Sequence, residues 1–345
     1  MSTASCLGKK LILVIGATGA QGLAVIDSLL APGEDGSPSP YAIPNLGAFD
    51  DFPSMYSAFR GVYGAFVNTD GFTVGEEKET WVGLRLFEIA KEVKTVRHYV
   101  YSGLDYALKK PYHCKKGNYD AKYHFGHTDG KARVAEFMRS QPSIASDSDM
   151  SWSVVTTTPY MDMLLTHMFG PWKKREDGTF VFATPIGNGQ VPMIALSDIG
   201  FFARYTFDNR EATSAQELEI TSDMVGWEYL VETFRKVTGQ KAEVKYLSYD
   251  EWCRYLNNVD HPVANEKTVG DGSTSWRENF RAWWTVWRDG IFKRDMDWIR
   301  KVNPHTHSLE AWMREKGYTG ELTALMKNAE DGKSARLNSS RVAQL

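Results

Sequence analysis

Residues 11–22, with the sequence LILVIGATGAQG, decide the fold of this chain. Leu11 to Ile15 is a continuous apolar run, which is typical of a parallel strand buried on both faces. Glycines at 16, 19 and 22 follow, and apolar residues then recur at helical spacing from Leu23 to Leu30. This order of strand, glycine turn and helix suits a dinucleotide pyrophosphate, because glycines allow close backbone approach and a helix N-terminus offers free N–H groups. We predict a dinucleotide site here rather than a glycine turn without a ligand.

The same alternation of strand and helix continues to about residue 158. Further strands are predicted at residues 61–67, 96–101 and 152–156, and helices at residues 76–94 and from about Thr128. This alternation indicates an α/β protein with a Rossmann-like, doubly wound parallel sheet. Ligands of such sheets bind at the carboxyl ends of the strands. Asn68, Ser102 and Thr158 follow predicted strands and are therefore candidate site residues.

The chain is predicted to contain two domains and a tail. Residues 1–158 form the nucleotide-binding domain, residues 159–330 a smaller α/β domain for substrate or partner, and residues 331–345 a flexible polar tail. Part of the second domain returns to the main sheet, with Leu218 to Ile220 as an added strand. The tryptophans between Trp276 and Trp298 have mostly helical spacing, which favours core packing over an aromatic ligand site.

The composition argues against several classes of function. The net charge is −3, so the chain shows no electrostatic footprint for nucleic acid. His113, Cys114, His124 and His127 match no zinc spacing, and we predict no metal site. No run approaches the roughly 20 apolar residues of a membrane span, and the sequence predicts no signal peptide. We expect a cytoplasmic protein without membrane contact, with a nuclear location also open.

Several motifs follow one another in a recognisable order. They are Gly16–Gly22, Asn68–Asp70, His98–Ser102, His127–Lys131, Thr158–Tyr160, Val191–Met193 with Ser197–Asp198, and Asn303–Pro304 with Leu309–Trp312. In this order they resemble the NmrA-like family of atypical short-chain dehydrogenases/reductases, which includes fungal regulators and redox-sensor members. The resemblance implies a Rossmann domain, a smaller C-terminal α/β domain, and a cleft for NADP(H), with NAD also open. The cofactor-binding residues that it implies are Gly16, Thr18, Gly19, Ala20, Gln21, Gly22, Asn68, Thr69, Lys131, Pro159 and Tyr160.

The catalytic positions depart from the pattern of active short-chain dehydrogenases. Those enzymes carry Tyr-x-x-x-Lys, in which the tyrosine is the general acid and the lysine holds the ribose. Here His127 and Lys131 have this spacing. The candidate catalytic residues are therefore Lys131, His127 and Ser102, with Tyr119 or Tyr123 as substitutes for the tyrosine. Because an ordinary imidazole is mostly neutral at neutral pH, a helix-entry role without catalysis is equally open for His127. We expect Lys131→Met to weaken cofactor binding with little loss of stability.

The segment between the glycine turn and residue 62 is too short for a complete Rossmann half. Residues 31–44 are rich in Pro, Gly and Ser and predict a loop, and residues 45–50 predict the remnant of a third strand. The second strand and second helix have no evident place, and we favour a truncated gene model or splice form over natural loss. No Lys or Arg occurs between Lys10 and Arg60, so the cation that selects NADP is missing. We expect weak NADP(H) binding without a sharp preference over NAD.

The sequence is compatible with three functions. The missing tyrosine and the family resemblance favour a regulator or redox sensor that binds NADP(H) and acts through a protein partner such as a transcription regulator. The alternative is an NADPH-dependent oxidoreductase that acts on an aromatic or quinone-like carbonyl. The incomplete Rossmann half also leaves open a degenerate scaffold that binds no nucleotide. The sequence does not predict the oligomeric state.

Overall fold

The strands form one large sheet and several small ones. A computed structural model describes residues 8–43, 49–109, 120–323 and 334–345. In chain order the strands are β1 Lys10–Ile15, β2 Tyr41–Ala42, β3 Gly64–Val67, β4 His98–Gly103, β5 Ser151–Thr156, β6 Lys173–Lys174, β7 Phe180–Thr184, β8 Val191–Met193, β9 Gln216–Glu219, β10 Asp223–Val225, β11 Ala242–Tyr246, β12 Leu256–Asn257 and β13 Arg336–Leu337.

Helices alternate with the strands of the large sheet and dominate the last third of the chain. In chain order they are α1 Ala20–Leu30, α2 Phe52–Phe59, α3 Gly71–Val74, α4 Glu76–Glu92, α5 Gly126–Arg139, α6 Leu196–Asp208, α7 Arg210–Thr213, α8 Trp227–Thr238, α9 Tyr249–Arg254, α10 Trp276–Arg288, α11 Met296–Val302, α12 Leu309–Glu315 and α13 Ser339–Val342. Within the described residues, none of them combines the length and apolar character needed to cross a membrane.

The large sheet is parallel and has the order β2-β1-β3-β4-β5-β9. The chain starts at β1, the second strand of this order, and places β2 on one side of it and the later strands on the other, as in doubly wound folds. The predicted fold class is confirmed. β9 is the strand predicted at Leu218 to Ile220, and it pairs with β5 at one edge of the sheet. The predicted elements differ from the observed ones by a few residues at their ends.

The sheet is buried on both faces because successive residues of a strand point to opposite sides. Leu13 and Ile15 of β1 pack on one face with side chains of α2, α4 and α5. Ile12 and Val14 pack on the other face with side chains of α1, α6 and α11. The sheet thus lies between two helical layers, and its carboxyl edge is the edge at which ligands of such folds bind.

The tryptophans of α10 pack, as predicted, in the core of a smaller unit, by which we mean the elements that share one hydrophobic cluster with β7, β8 and α8. Trp276, Trp283, Trp284 and Trp287 are all buried in one cluster with side chains of β7, β8 and α8. Trp298 instead packs on Phe202 beside the large sheet, with ring centroids 5.9 Å apart. The smaller sheets around this core are β11-β7-β6, β10-β8 and β12-β13.

The second strand has a place in the structure, so the prediction of a loop over residues 31–44 was wrong in part. β2 runs parallel to β1, with Tyr41 beside Lys10. Tyr41 is 2% exposed, and its hydroxyl donates to Asp208 at 2.5 Å. The buried Tyr41 ring therefore belongs to a short strand, although the Pro, Gly and Ser residues around it are typical of a loop. Over the described residues no strand lies beyond β2; most of the predicted third-strand remnant, residues 45–50, lies outside them.

The C-terminal residues differ from the flexible tail that the sequence predicts for residues 331–345. From Ser334 onward the chain forms β13, which pairs antiparallel with β12, and then α13. Ala335 and Val342 are buried in the core of the smaller unit. Two apolar side chains therefore dock a segment that is polar on average.

Candidate functional site

The glycine turn after β1 is tightly packed. Gly16 has a φ of +84°, a left-handed conformation that favours glycine. A Cβ on Gly22 would overlap the carbonyl oxygen of Gly16, because the start of α1 packs directly on the turn. A Cβ on Gly19 would instead have its nearest neighbour at 3.4 Å, which is ordinary contact. The conformation of the turn therefore requires glycine at positions 16 and 22. At Gly19 the turn itself has room for a side chain.

α1 begins at this turn with no acidic residue in its first turn. Gly19 is the N-cap, and no side chain caps the helix. Thr18 and Ala20 are exposed beside it. The first N–H groups of a helix have no partner within the helix and carry a partial positive charge. The start of α1 is therefore suited to bind an anion such as a pyrophosphate.

A buried side-chain hydrogen bond ties the turn to the end of β4. The Ser102 hydroxyl donates to Gln21 Oε1 at 2.8 Å, and both side chains are buried. Gln21 therefore points toward the sheet rather than toward solvent. The sequence placed both residues in the site but did not predict this contact.

Lys131 reaches from α5 to the carboxyl ends of β3 and β4. Its Nζ donates to Asn68 Oδ1 at 2.9 Å, to the Thr69 carbonyl oxygen at 2.7 Å and to the Ser102 carbonyl oxygen at 3.4 Å. The structure thus brings four predicted site residues together at one ammonium. Burial lowers the pKa of Lys131 below its ordinary value.

A buried carboxylate that the sequence analysis did not single out faces Lys131. Glu79 Oε1 lies 3.5 Å from Lys131 Nζ and accepts a hydrogen bond from Thr69 Oγ1 at 2.8 Å. Its other oxygen, Oε2, is buried without a hydrogen-bond partner among the described residues. The carboxylate fits only because Gly71 and Gly130 have no Cβ that would crowd it. Burial raises the pKa of Glu79 above its ordinary value, and Lys131 opposes that shift.

His127 lies one turn before Lys131 on the same face of α5. It is 8% exposed, and its ring centroid lies 4.6 Å from that of Phe72 and 5.6 Å from that of Phe280. Its Nδ1 is 2.8 Å from Nδ2 of Asn279 in α10. Burial lowers the pKa of His127 to about 4. The imidazole is therefore neutral at neutral pH, where it offers a hydrogen bond rather than a ready acidic proton.

The proposed substitute Tyr123 does not have a free hydroxyl. Its ring is buried, and its hydroxyl donates to Asp289 Oδ2 at 2.9 Å. The other substitute, Tyr119, lies outside the described residues. The side chain of Tyr123 therefore ties the segment before α5 to the end of α10.

Thr158, Pro159 and Tyr160 follow the carboxyl end of β5, at the same edge of the sheet as the ends of β3 and β4. The Thr158 hydroxyl donates to Thr221 Oγ1 at 3.2 Å. The Pro159 carbonyl accepts from the N–H of Ile194 at 2.9 Å, and Tyr160 forms a parallel bridge with Ile194. Burial raises the pKa of Tyr160 to about 12. Its phenol is therefore protonated at neutral pH and can donate a hydrogen bond.

A histidine and two carboxylates form a cluster near the start of α5. His124 Nδ1 lies 2.6 Å from Asp129 Oδ2, and His124 Nε2 lies 3.4 Å from Glu76 Oε2. The hydrogen bond with Asp129 raises the pKa of His124. One ligand atom from each of the three residues lies within 4.8 Å of the others, but the Arg133 guanidinium already pairs with Glu76. The cluster is therefore an ion-pair network in which Arg133 is the cation. The other two residues of the histidine and cysteine group, His113 and Cys114, lie outside the described residues.

On the β2 side of β1, where the adenosine of a dinucleotide would lie, the sheet has only one short strand among the described residues. β2 pairs only with Lys10 and Leu11. Over the described residues, the carboxyl half of β1 therefore has a strand neighbour only on the β3 side. Arg60 lies between the end of α2 and the start of β3, at the amino edge of the sheet, where its guanidinium covers the Tyr56 ring at 4.8 Å. It cannot serve a ligand at the carboxyl edge.

The parallel sheet and the glycine turn after its first strand define a Rossmann-like α/β protein. The model of the NmrA-like family matches residues 46–269. The chain belongs to the NmrA-like family, and the resemblance seen in the sequence is confirmed.

Known relatives and solved structures support this assignment. The chain is 29% identical over 307 residues to the NmrA-like family domain-containing oxidoreductase malD of Malbranchea aurantiaca, covering 80% of this chain and 82% of malD. Its fold is similar to that of NmrA, a negative transcriptional regulator solved in complex with NADP, with a TM-score of 0.63, 18% identity, and coverage of 89% and 95%. It is also similar to the NADPH-dependent quinone oxidoreductase QOR2 of Escherichia coli, with a TM-score of 0.62, 17% identity, and coverage of 89% and 100%.

Proposed function

We propose that the protein binds a nicotinamide dinucleotide, NADP(H) or NAD(H), at the carboxyl ends of β1, β3 and β4. The observation that carries this proposal is the convergence of Asn68, Thr69 and Ser102 on the Lys131 ammonium, next to the glycine turn. The tight glycine turn, which leaves no room for a Cβ at Gly22, and a helix start without a carboxylate together suit a pyrophosphate. Lys131 would hold the hydroxyls of the nicotinamide ribose.

The names of similar proteins agree with this proposal. NmrA has been solved in complex with NAD and in complex with NADP, and the E. coli quinone oxidoreductase in complex with NADPH. The present chain shares the fold of these proteins. In this chain the glycine turn would bind the pyrophosphate of such a ligand, and Lys131 would bind its nicotinamide ribose.

Calorimetric titration of the full chain with NADPH and NADH tests the proposal. Gly19→Val should weaken binding by at least about tenfold, because a side chain at this position blocks backbone approach to the pyrophosphate. Its fold should persist, since a Cβ at Gly19 meets only ordinary contacts. Leu23→Val is the matched control, because Leu23 lies one turn further along α1 with its side chain 52% exposed. Equal affinities of the two variants would contradict a site at the glycine turn.

A second candidate function is reduction of an aromatic or quinone-like carbonyl. The observation that favours it is the ring of aromatic side chains from Phe72, Phe125 and Phe280 around His127, one helical turn from Lys131. A flat apolar substrate would pack against such rings. A bound dihydronicotinamide supplies the hydride for this class of reaction. The malD relative is named an oxidoreductase.

One assay separates reduction from a sensing role. NADPH consumption is followed with a panel of quinones and aromatic aldehydes at saturating nucleotide. Turnover supports the reductase. Tight binding without turnover by any acceptor supports the sensor that acts through a protein partner, and the absence of binding supports the scaffold.

A further inference from the structure

Asn279 is a buried polar residue whose presence is not explained by folding. It lies in α10 and is 0% exposed. Its Nδ2 is within hydrogen-bond distance of His127 Nδ1, at 2.8 Å. Its Oδ1 is buried and has no partner among the described residues. A buried polar atom without a partner destabilises the folded state, so an apolar residue would serve the core around α10 better. The interaction that the amide does make is with His127.

This contact decides which nitrogen of His127 carries the proton. An amide N–H can only donate a hydrogen bond, so Nδ1 of His127 must accept with its lone pair. A neutral imidazole has one proton, and it therefore resides on Nε2. The aromatic surroundings keep the ring neutral, and no carboxylate among the described residues is hydrogen-bonded to it.

The Nε2–H group is available to a ligand. Among the described residues, no side chain forms a hydrogen bond with Nε2. The atom is also not fully buried, so a ligand can reach it. Because positions four apart on a helix lie on one face, Nε2–H is presented on the same side of α5 as Lys131. Phe72 and Phe280 cover other parts of the ring.

We propose that Asn279 is a positioning residue that fixes the proton of His127 on Nε2, so that this N–H binds the oxygen of a carbonyl substrate. The inference rests on the reductase candidate above and names a hydrogen-bond donor for it. When the carbonyl carbon receives a hydride from the dinucleotide, the electron pair of the C=O bond moves to oxygen. A neutral N–H donor stabilises that negative charge without being consumed. The oxygen then takes its proton from water.

Nitrogen-15 NMR of histidine-labelled protein without nucleotide tests the assignment directly. The two ring nitrogens of His127 should show the Nε2–H form and should not titrate from about pH 5 to about pH 9. His127→Gln assigns the signals. Asn279→Asp should move the proton to Nδ1, because a carboxylate accepts from Nδ1–H, and should raise the pKa of the ring. His98, the other histidine that is buried among the described residues, should not change and is the internal reference. The Nδ1–H form in the unaltered protein would overturn the proposal.

Kinetics supply the second readout. At a pH at which NMR shows the His127 ring of the variant to be neutral, Asn279→Asp should lower kcat for an aromatic carbonyl by about 10²-fold or more, because Nε2 is then an acceptor instead of a donor. The Kd for NADPH should remain within about threefold, because Asn279 does not touch the proposed nucleotide site. An unchanged kcat overturns the proposal even when the tautomer is as expected. Failure of NADPH to bind the unaltered protein would contradict the proposed function instead, and the NMR result is independent of that outcome.

Discussion

Lys131 and Glu79 depend on each other, because each is a buried charge that the other compensates. Lys131→Met would leave the Glu79 carboxylate buried without a cation. We expect the free energy of unfolding to fall by about 3–5 kcal/mol. This revises the expectation from the sequence that the substitution costs little stability. Urea unfolding followed by tryptophan fluorescence measures the change, and a loss below about 1 kcal/mol would contradict a charged pair.

The double variant Lys131→Met, Glu79→Gln separates stability from binding. Glutamine can keep the hydrogen bond from Thr69 without a charge, so most of the lost stability should return. Affinity for NADPH should stay at least about tenfold below that of the unaltered chain, because the ammonium that would hold the ribose is absent. Recovery of affinity together with stability would show that Lys131 acts only through folding.

At the scale of single residues, the sequence predicted the side chains that lie in motifs. His127 and Lys131 were found by their spacing, and Asn68 and Ser102 by their position after strands. Glu79 was not found, because three glutamates at the start of α4 are sufficiently explained by the helix dipole. Only the three-dimensional structure shows that Gly71 and Gly130 leave space for its carboxylate.

At the scale of elements, we predict that the region of β2 provides no cation that would favour NADP over NAD. No Lys or Arg occurs in residues 11–59, and Arg60 lies at the opposite edge of the sheet. A charge-assisted contact with the 2′-phosphate of NADP is worth about 1.5–3 kcal/mol, which is roughly one to two powers of ten in affinity. We expect the Kd values of NADPH and NADH to differ by less than about threefold. Parallel titrations at one ionic strength measure the ratio. A preference for NADPH of about tenfold or more would show that another part of the chain supplies the cation.

The elements that the sequence predicted well are those with strong local patterns. β1, α4 and β4 combine apolar runs or helical spacing with buried side chains. β2 has only two residues, which lie between Pro40 and Pro44 in the sequence, and its Tyr41 hydroxyl donates to Asp208 of α6, which is distant in sequence. Local patterns carry no information about such a contact, so residues 31–44 resembled a loop.

At the scale of the whole molecule, a histidine joins α6 to the region of α12. His307 Nδ1 lies 3.2 Å from Asp198 Oδ1, and His307 Nε2 lies 2.9 Å from Glu315 Oε2. The hydrogen bond with Asp198, aided by Glu315, raises the pKa of His307 to about 9. The unfolded chain has a histidine pKa of about 6.5. Because the folded pKa is the higher one, the contact contributes fully below about pH 6.5 and is lost as the pH rises through about 9.

His307→Asn should remove this part of the pH dependence. Between about pH 6.5 and pH 10 the unaltered chain should lose on the order of 1–3 kcal/mol more unfolding free energy than the variant, allowing for partial solvent screening. Chemical denaturation at a series of pH values measures the difference. His305→Asn is the control, because His305 is exposed two residues earlier. If His307→Asn and His305→Asn show the same pH dependence, the contact does not stabilise the fold.

The topology of the molecule was predictable, but its long-range contacts were not. The alternation of strands and helices was sufficient for the parallel sheet and for the return of β9. The buried pair of Arg294 and Asp105, with 3.1 Å between Nη1 and Oδ1, joins the loop after β4 to the segment after α10. Each residue alone resembles an ordinary surface charge in the sequence. Charges of opposite sign are common, and only folding selects which two meet.

A crystal structure of the full chain grown with NADPH tests the proposed nucleotide site. We predict that the pyrophosphate lies at the Gly16–Gly22 turn and at the first N–H groups of α1. We also predict that the nicotinamide ribose lies within hydrogen-bond distance of Lys131 Nζ. Nucleotide density elsewhere on the molecule, or a ribose out of reach of Lys131, would contradict it.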